Sequence, residues 1–397
     1  AAGQQHAAAV LADGRVLSWG LGVFGQLGHG ARGEAADLLL PLERFAGRDT
    51  GEAVMMWNPP WTLTLAMPLG ALPPRAGQLV WLLLGIAAVG GSAWLVWDCY
   101  GGRRDKLWVG FAVAFTFVPT LFVLNTGQIS AFLLLGCALF AWCVKRGYPV
   151  AAGAAACLIA IKPHLAYLLW PAVGLDAVLN RRWRIVLGGV VTGAIITAVP
   201  MAFNPDVWGQ YFEAYRSSPV PPSKWVSLTP GVVLRVLLGE DKFWLQFVPM
   251  AAGVAWFAWR WKADGRRWEW VEVLPWLVLV SFVTAPYGAW HFDLVLLLLP
   301  VLHRAAVYSL SPRGEGRGEG VSATGQHPLT PGPSPQRARG AVAILVAANV
   351  VMFAMSHARV DSCWYAWLAP LTLVVYAGTS PRRSAVPVPC EVEVATA

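Results

Sequence analysis

Apolar residues along this chain come in long blocks, interrupted either by basic clusters or by mixed polar knots. Blocks at 78–97, 107–124, 129–144, 149–179, 185–203, 243–259, 271–284, 294–308, 341–356 and 364–376 predict membrane-spanning helices. Between them, Arg103-Arg104-Asp105-Lys106, Lys145-Arg146, Arg181-Arg182-Trp183-Arg184 and the stretch 260–267 are short and basic, which marks cytoplasmic turns by the positive-inside rule. Strict alternation then sends 125–128, 162–164, 204–242 and 285–293 to the other side of the membrane. The pattern predicts an all-α polytopic membrane protein, a multi-helix bundle whose polar knots share one face.

Three stretches fall outside that rhythm. The apolar piece 61–72, between Pro59-Pro60 and Pro73-Pro74, is too short to span and suits a re-entrant or juxtamembrane helix. Residues 1–48 are Gly-rich, with short alternating runs and the turn signal Asp13-Gly14, and read as a short β-hairpin-like fragment. Residues 309–340 are dominated by Gly, Pro, Arg and Glu and read as a disordered low-complexity cytoplasmic linker. The expected domains are thus a fragment at 1–48, a core at 53–308, the linker at 309–340, two C-terminal spans at 341–378 and a polar tail at 379–397.

Composition supports the membrane reading. A mean hydropathy of +0.52, with 56% hydrophobic and 13% charged residues, excludes an ordinary soluble globular chain. The net charge of +8 is accounted for by the basic turns, and no basic stretch is interleaved with aromatics, so nucleic acid is not an expected partner. Trp94, Trp97, Trp108, Trp183 and Trp290 lie at block ends, as interfacial belts require. Cys99, Cys137, Cys143, Cys157, Cys363 and Cys390 show no CxxC spacing and are read as buried or idle thiols; neither a metal nor another cofactor is expected. No charged-then-apolar leader precedes the first span, so insertion is expected to rely on the spanning helices themselves.

The knots carry the chemistry. Polar side chains inside or beside hydrocarbon are costly unless they face water, a partner or a ligand. Gathered on one face, these suit a phosphate- or pyrophosphate-bearing lipid: Lys162 as a point charge on phosphate, His164 and His291 as donors, Asn125 and Gln128 for hydroxyls, and Asp293 as acid or base. Each has a plainer reading. Lys162-Pro163 can be a helix break with a snorkelling lysine, His291 and Asp293 a satisfied pair at a helix start, and Asn125 and Gln128 a turn.

Two resemblances sharpen this. Gly3, His6, Asp13-Gly14-Arg15, Ser18-Trp19-Gly20 and Gly25-Gln26-Leu27-Gly28-His29-Gly30 resemble one repeat of the regulator-of-chromosome-condensation propellers. A single blade cannot bury its own faces, so this stretch is expected to be a stranded piece. From Asn58 to about residue 376, the chain resembles glycosyltransferase family 87, the polyprenyl-phosphate-mannose-dependent mannosyltransferase-like group of the C-type superfamily. The carrying residues are Asn58-Pro59-Pro60, Met67-Pro68-Leu69, Asn125-Thr126-Gly127-Gln128, Gly153 running to Ile161-Lys162-Pro163-His164, Ser227-Leu228, and Pro286 to Asp293.

That resemblance implies a plasma-membrane enzyme that moves a hexosyl, mannosyl-like group from a polyprenyl-phosphate-linked sugar donor to a hydroxyl acceptor, a glycan or a lipid, on the exoplasmic side. It implies Lys162, helped by His164, at the donor phosphate. The family's proton-accepting acid is expected in a loop ahead of the Pro-Pro segment, where this sequence carries the propeller-like stretch instead. Asp49 and Glu52, the nearest acids, sit in no matching motif and the role is not carried over to them; the chain is expected to be truncated at its start, with both an active and an inactive enzyme left open. A secondary transporter, a lipid flippase or a non-catalytic membrane scaffold remain the alternatives.

Overall fold

The computed structural model describes residues 7–10, 16–19, 58–216, 227–265, 268–310, 335–358 and 362–380. Most of the expected linker, 311–334, and the tail after 380 lie outside them. At the start of the chain β1 (Ala7–Val10) pairs antiparallel with β2 (Val16–Trp19), Val10 facing Val16, as the alternation predicts; the turn expected at Asp13-Gly14 lies outside the described residues. The short piece at 61–72 forms consecutive turns, Pro60–Thr62, Leu63–Ala66 and Met67–Ala71, rather than one helix. The prolines at 60 and 68 each restart a turn, because proline has no N–H to continue the preceding ladder.

The other regular elements are helices. In chain order the helices are α1 (Pro74–Cys99), α2 (Leu107–Thr116), α3 (Val118–Thr126), α4 (Ser130–Lys145), α5 (Pro149–Ile159), α6 (Leu169–Leu179) and α7 (Trp183–Phe203). They continue with α8 (Val207–Arg216), α9 (Pro230–Leu238), α10 (Phe247–Asp264), α11 (Trp270–Thr284), α12 (Leu298–Ser309), α13 (Pro335–His357) and α14 (Leu368–Thr379). Helix α13 opens at Pro335, inside the stretch expected to be linker. Among the described residues, Arg75–Cys99, Trp183–Phe203 and Gly340–His357 are each long and apolar enough to cross a membrane, and the pair Arg104–Thr116 and Val118–Thr126 makes a fourth, bent by 61°. The remaining blocks are shorter helices that pass into irregular backbone buried in protein, which is where membrane proteins tolerate it.

The core runs through α4, α11 and the start of α12. Leu133, Leu134 and Phe140 on α4 are fully buried against Leu274, Leu277 and Leu279 of α11 and Leu297 to Leu299. Helices apolar on every side either fill a core or face lipid: here α4 and α11 take the centre, while α7 and α13 lie largely exposed. Around them α1 packs on α4, α4 on α5 and α5 on α7. The α5–α7 crossing is set by glycine: a Cβ on Gly153 would meet the Ile185 carbonyl oxygen at 1.9 Å, and one on Gly188 would meet the Val150 carbonyl oxygen at 2.0 Å. Backbones approach this closely in bilayers only where side chains are absent.

Two expectations need correction. The block 107–124 is not a straight span, because Pro119 has no N–H to give and its ring crowds the preceding turn, so α2 stops at Thr116 and Phe117 is extended. Asn349 on α13 splints the break: its Oδ1 accepts from the Val118 N–H (2.8 Å) and its Nδ2 donates to the Thr116 carbonyl (2.7 Å). Trp97 is not interfacial. It is buried, with Nε1 donating to the Arg103 carbonyl, whereas Trp94, Trp108 and Trp183 are exposed as belts require.

Replacing Asn349 by Leu leaves both broken-backbone groups without their partner, at a cost of about 1–3 kcal/mol. The thermal midpoint of the purified protein should fall, with α13 the first helix to lose hydrogen-exchange protection. An unchanged midpoint would show that the amide does not hold the break.

Candidate functional site

Asp293 is the centre of the candidate site, and local backbone chemistry puts it there. After α11 the chain leaves helix at Ala285-Pro286, makes a left-handed turn at Gly288 (φ 76°), and restarts in the turn Asp293–Leu297 that leads into α12. The Asp293 N–H donates to the Trp290 carbonyl (2.8 Å), and the Trp290 N–H donates back to Asp293 Oδ2 (3.0 Å). This reciprocal pair locks the carboxylate at the head of the turn, with no exposed surface. Its Oδ1 accepts from Lys162 Nζ at 2.7 Å and from the Ser130 hydroxyl at 2.5 Å.

Each partner also stands at a break. Lys162 precedes Pro163 and is therefore held out of the helical region (φ −132°, ψ 74°), three residues past the end of α5, with its side chain buried. Its ammonium lies 4.7 Å from the Phe292 ring centroid, over the face. Ser130 opens α4 just after Gly127, whose left-handed conformation (φ 61°) caps α3. His164 Nε2 lies 3.3 Å from the Gly288 carbonyl, and a Cβ on Gly288 would meet that nitrogen at 2.7 Å, so this position needs glycine twice over. Leu228 N–H donates to the Ala289 carbonyl (3.2 Å), which brings 227–229 to the same place. Residues of the knots at 162–164, 204–242 and 285–293 therefore meet, and Ser130, two positions past the knot at 125–128, joins them.

The basic turns meet at the other end. Arg103 N–H donates to Ser309 Oγ (2.9 Å), Lys106 Nζ to the Ser309 carbonyl (3.2 Å), Arg146 pairs with Asp98 (2.8 Å), and Arg182 Nη1 reaches the Trp268 carbonyl (3.4 Å). Helix α4, with 16 residues, joins the two ends; at about 1.5 Å per residue it is about 24 Å long, just short of a hydrocarbon core of about 30 Å. The Lys162–Asp293 pair thus lies at the end of the bundle opposite the basic turns.

The other expected residues differ in what they contribute. His291 packs its ring edge-to-face on Phe122 at 5.0 Å and beside Tyr365. Burial pushes both His164 and His291 down to about 4, with the Lys162 charge adding to the effect and Asp293 opposing it, so both rings are neutral. A neutral His164 facing a carbonyl spends its one donor on Gly288. Gln128 is buried, and its Nε2 has no partner. Asn125 is exposed and is not drawn into the cluster.

Sequence reading missed Ser130 and the pair Arg235 and Gln246. Ser130 follows Gln128 closely enough to have been counted with that knot. Arg235 could not be read as buried, because 204–242 shows a near-balance of charges that looks like a solvated loop, and Gln246 is hidden as a single polar residue at the start of the apolar block 243–259. In the structure Gln246 bridges the Pro286 carbonyl (2.8 Å) and the Arg235 guanidinium (2.9 Å), bracing the loop that carries Asp293. Among the described residues no cluster of three metal-ligating side chains occurs.

An ion pair buried among broken helices of an apolar bundle marks a functional site in a membrane protein rather than a packing core. Glycosyltransferase family 87 matches residues 57–307, more than half of the chain, and the chain belongs to that family of membrane glycosyltransferases. Residues 1–26 are similar to a regulator of chromosome condensation repeat, a shorter match than the 48 residues the pattern suggested. No curated protein and no solved structure matches the chain.

Removing one partner of the buried pair, by Lys162→Met or Asp293→Asn, should cost about 3–5 kcal/mol, because the remaining group is stranded, while the double variant should recover most of that loss. A double-mutant cycle on thermal or denaturant unfolding measures this; additive losses would show that the two groups do not interact. Because both histidines are depressed, the unfolded chain takes up protons below about 6.5 that the folded chain refuses until about 4. Stability should therefore be full above about pH 6.5 and fall progressively towards pH 4. A His164→Gln, His291→Gln variant should show a shallower fall, and an identical slope would contradict the assignment.

Proposed function

We propose that the chain handles transfer of a hexosyl, mannosyl-like group from a polyprenyl-phosphate sugar to a hydroxyl acceptor, on the exoplasmic side of the plasma membrane. The observation that supports this is the Lys162 ammonium, pinned by Asp293 over the Phe292 ring at the end of the bundle away from the basic turns. In transfer, the acceptor oxygen bonds to the anomeric carbon as the bond from that carbon to the lipid phosphate breaks. The electron pair leaves on the phosphate. A fixed cation at that phosphate stabilises charge that is larger in the transition state than in the bound donor.

Asp293 gives one oxygen to two donors and the other to a backbone N–H. We therefore assign it to holding Lys162, and not to accepting the acceptor's proton. His164 is assigned to holding the Gly288 turn, and the unpartnered amide of Gln128 and hydroxyl of Ser227 to sugar or phosphate oxygens. Asp49 and Glu52 lie outside the described residues, and the proton acceptor is left unassigned. Membership of a transferase family and the one-sided placement of the knots favour transfer over transport. Both arguments leave the identity of the sugar to experiment.

The test is donor binding and transfer by the protein reconstituted in vesicles. Lys162→Ala removes a charge-assisted contact of about 1.5–3 kcal/mol, which is about a 10- to 100-fold loss of affinity for polyprenyl-phosphate hexose. Transfer should be lost and membrane insertion unchanged. Wild-type affinity in the variant would remove Lys162 from the site.

A further inference from the structure

A second buried cation lies at the opposite end of the bundle, and the transfer reaction does not use it. Arg304 on α12 is 8% exposed, and no carboxylate of the described residues lies within ion-pair distance of it. Its Nη2 donates to the Ser380 hydroxyl and its guanidinium lies 4.3 Å from the Tyr376 ring centroid, but Nε has no partner. The Tyr308 hydroxyl is also buried without a partner. Both residues line one cleft of about 280 Å³ between α2, α12, α13 and α14.

The walls of that cleft limit what can fill it. Apart from Arg304 and a few hydroxyls and amides they are apolar, with Val301, Val342, Leu345 and Val346 prominent. Val342 and Val346 are more than half exposed, so the cleft opens on the outer face of α13, which in a membrane is lipid. Arg304 is close in sequence to Ser309, which receives Arg103 and Lys106, so its charge sits on the side of the basic turns. An unpaired guanidinium in such a place is costly, and the Tyr376 face offsets only part of that cost. A free aqueous anion would leave the hydrocarbon walls empty. An acidic lipid satisfies both halves.

We propose that this cleft binds an anionic phospholipid of the leaflet on the basic side, with its phosphate on Arg304 and Tyr308 and an acyl chain along α13. The lipid joins the C-terminal pair α13 and α14 to the α2–α12 wall. Basic pockets between helices on that side of a membrane recognise acidic headgroups in this way. The site does not depend on the transfer chemistry at Lys162.

The test uses the full chain in nanodiscs of mixed phosphatidylglycerol and phosphatidylcholine, with lipids retained after detergent extraction counted by native mass spectrometry. The wild type should retain phosphatidylglycerol selectively and gain thermal stability from it. Arg304→Gln should retain about fivefold less, the value of one basic contact. Val346→Trp, which fills the apolar half without touching Arg304, should lose the lipid as well and keeps the test valid if the arginine variant fails to fold. Equal retention by all three proteins, or no preference for phosphatidylglycerol in the wild type, would overturn the proposal. Stabilisation by inorganic phosphate as large as that by phosphatidylglycerol would overturn it too, by showing a free-anion site.

Discussion

The structure depends on one interaction, the ion pair of Lys162 with Asp293. A carboxylate with no exposed surface and an ammonium that is nearly as buried cannot be accommodated singly in an apolar bundle. Each therefore requires the other, and the pair draws together three chain breaks far apart in sequence: the end of α5, the start of α4 through Ser130, and the loop before α12. Such a pair adds little net stability over a well-packed apolar substitute. Its value is positional. It fixes a cation at one place in the bundle, where the proposed donor phosphate would meet it.

That placement explains why so many elements are broken where uninterrupted helices would be simpler. Gly127, Pro163 and Gly288 each hold the chain out of helix by a different local rule: a left-handed cap after α3, a missing N–H after α5, and a turn beyond α11 that no Cβ fits. Irregular backbone at membrane depth is costly unless protein surrounds it. Here α11 and the first turns of α12 fill the centre and Gln246 braces the Pro286 loop. At the α2–α3 bend, where Pro119 breaks the ladder, Asn349 replaces the lost backbone partners from a neighbouring helix. These breaks are held from outside themselves, as a site that must keep its geometry requires.

Much of this is legible in the sequence, for physical reasons. Apolar block lengths and basic turns reveal the helices and the two ends, because hydrocarbon penalises charge so strongly that Lys145, Arg146 and the clusters like them have few places to go. For the same reason Lys162 and Asp293 stand out, since isolated charges beside apolar runs need a reason. Sequence could not give the pairing itself, which spans more than a hundred positions, nor the roles of Ser130, Arg235 and Gln246, whose burial is decided by packing. It overestimated Asn125, a polar residue beside a real break that faces away from it. It also misjudged Trp97, whose indole finds a buried carbonyl partner at a block end where an interfacial residue was expected.

The central claim is that the end carrying the Lys162–Asp293 pair faces away from the basic turns, across the membrane and outside the cell. Labelling of single cysteines with a membrane-impermeant thiol reagent in intact cells tests it directly, using Asn125→Cys for one end and Gly147→Cys for the other in a background without native cysteines. The account predicts that position 125 labels in intact cells and position 147 only after permeabilisation. Labelling of both from the same side, or of 147 alone in intact cells, would contradict it.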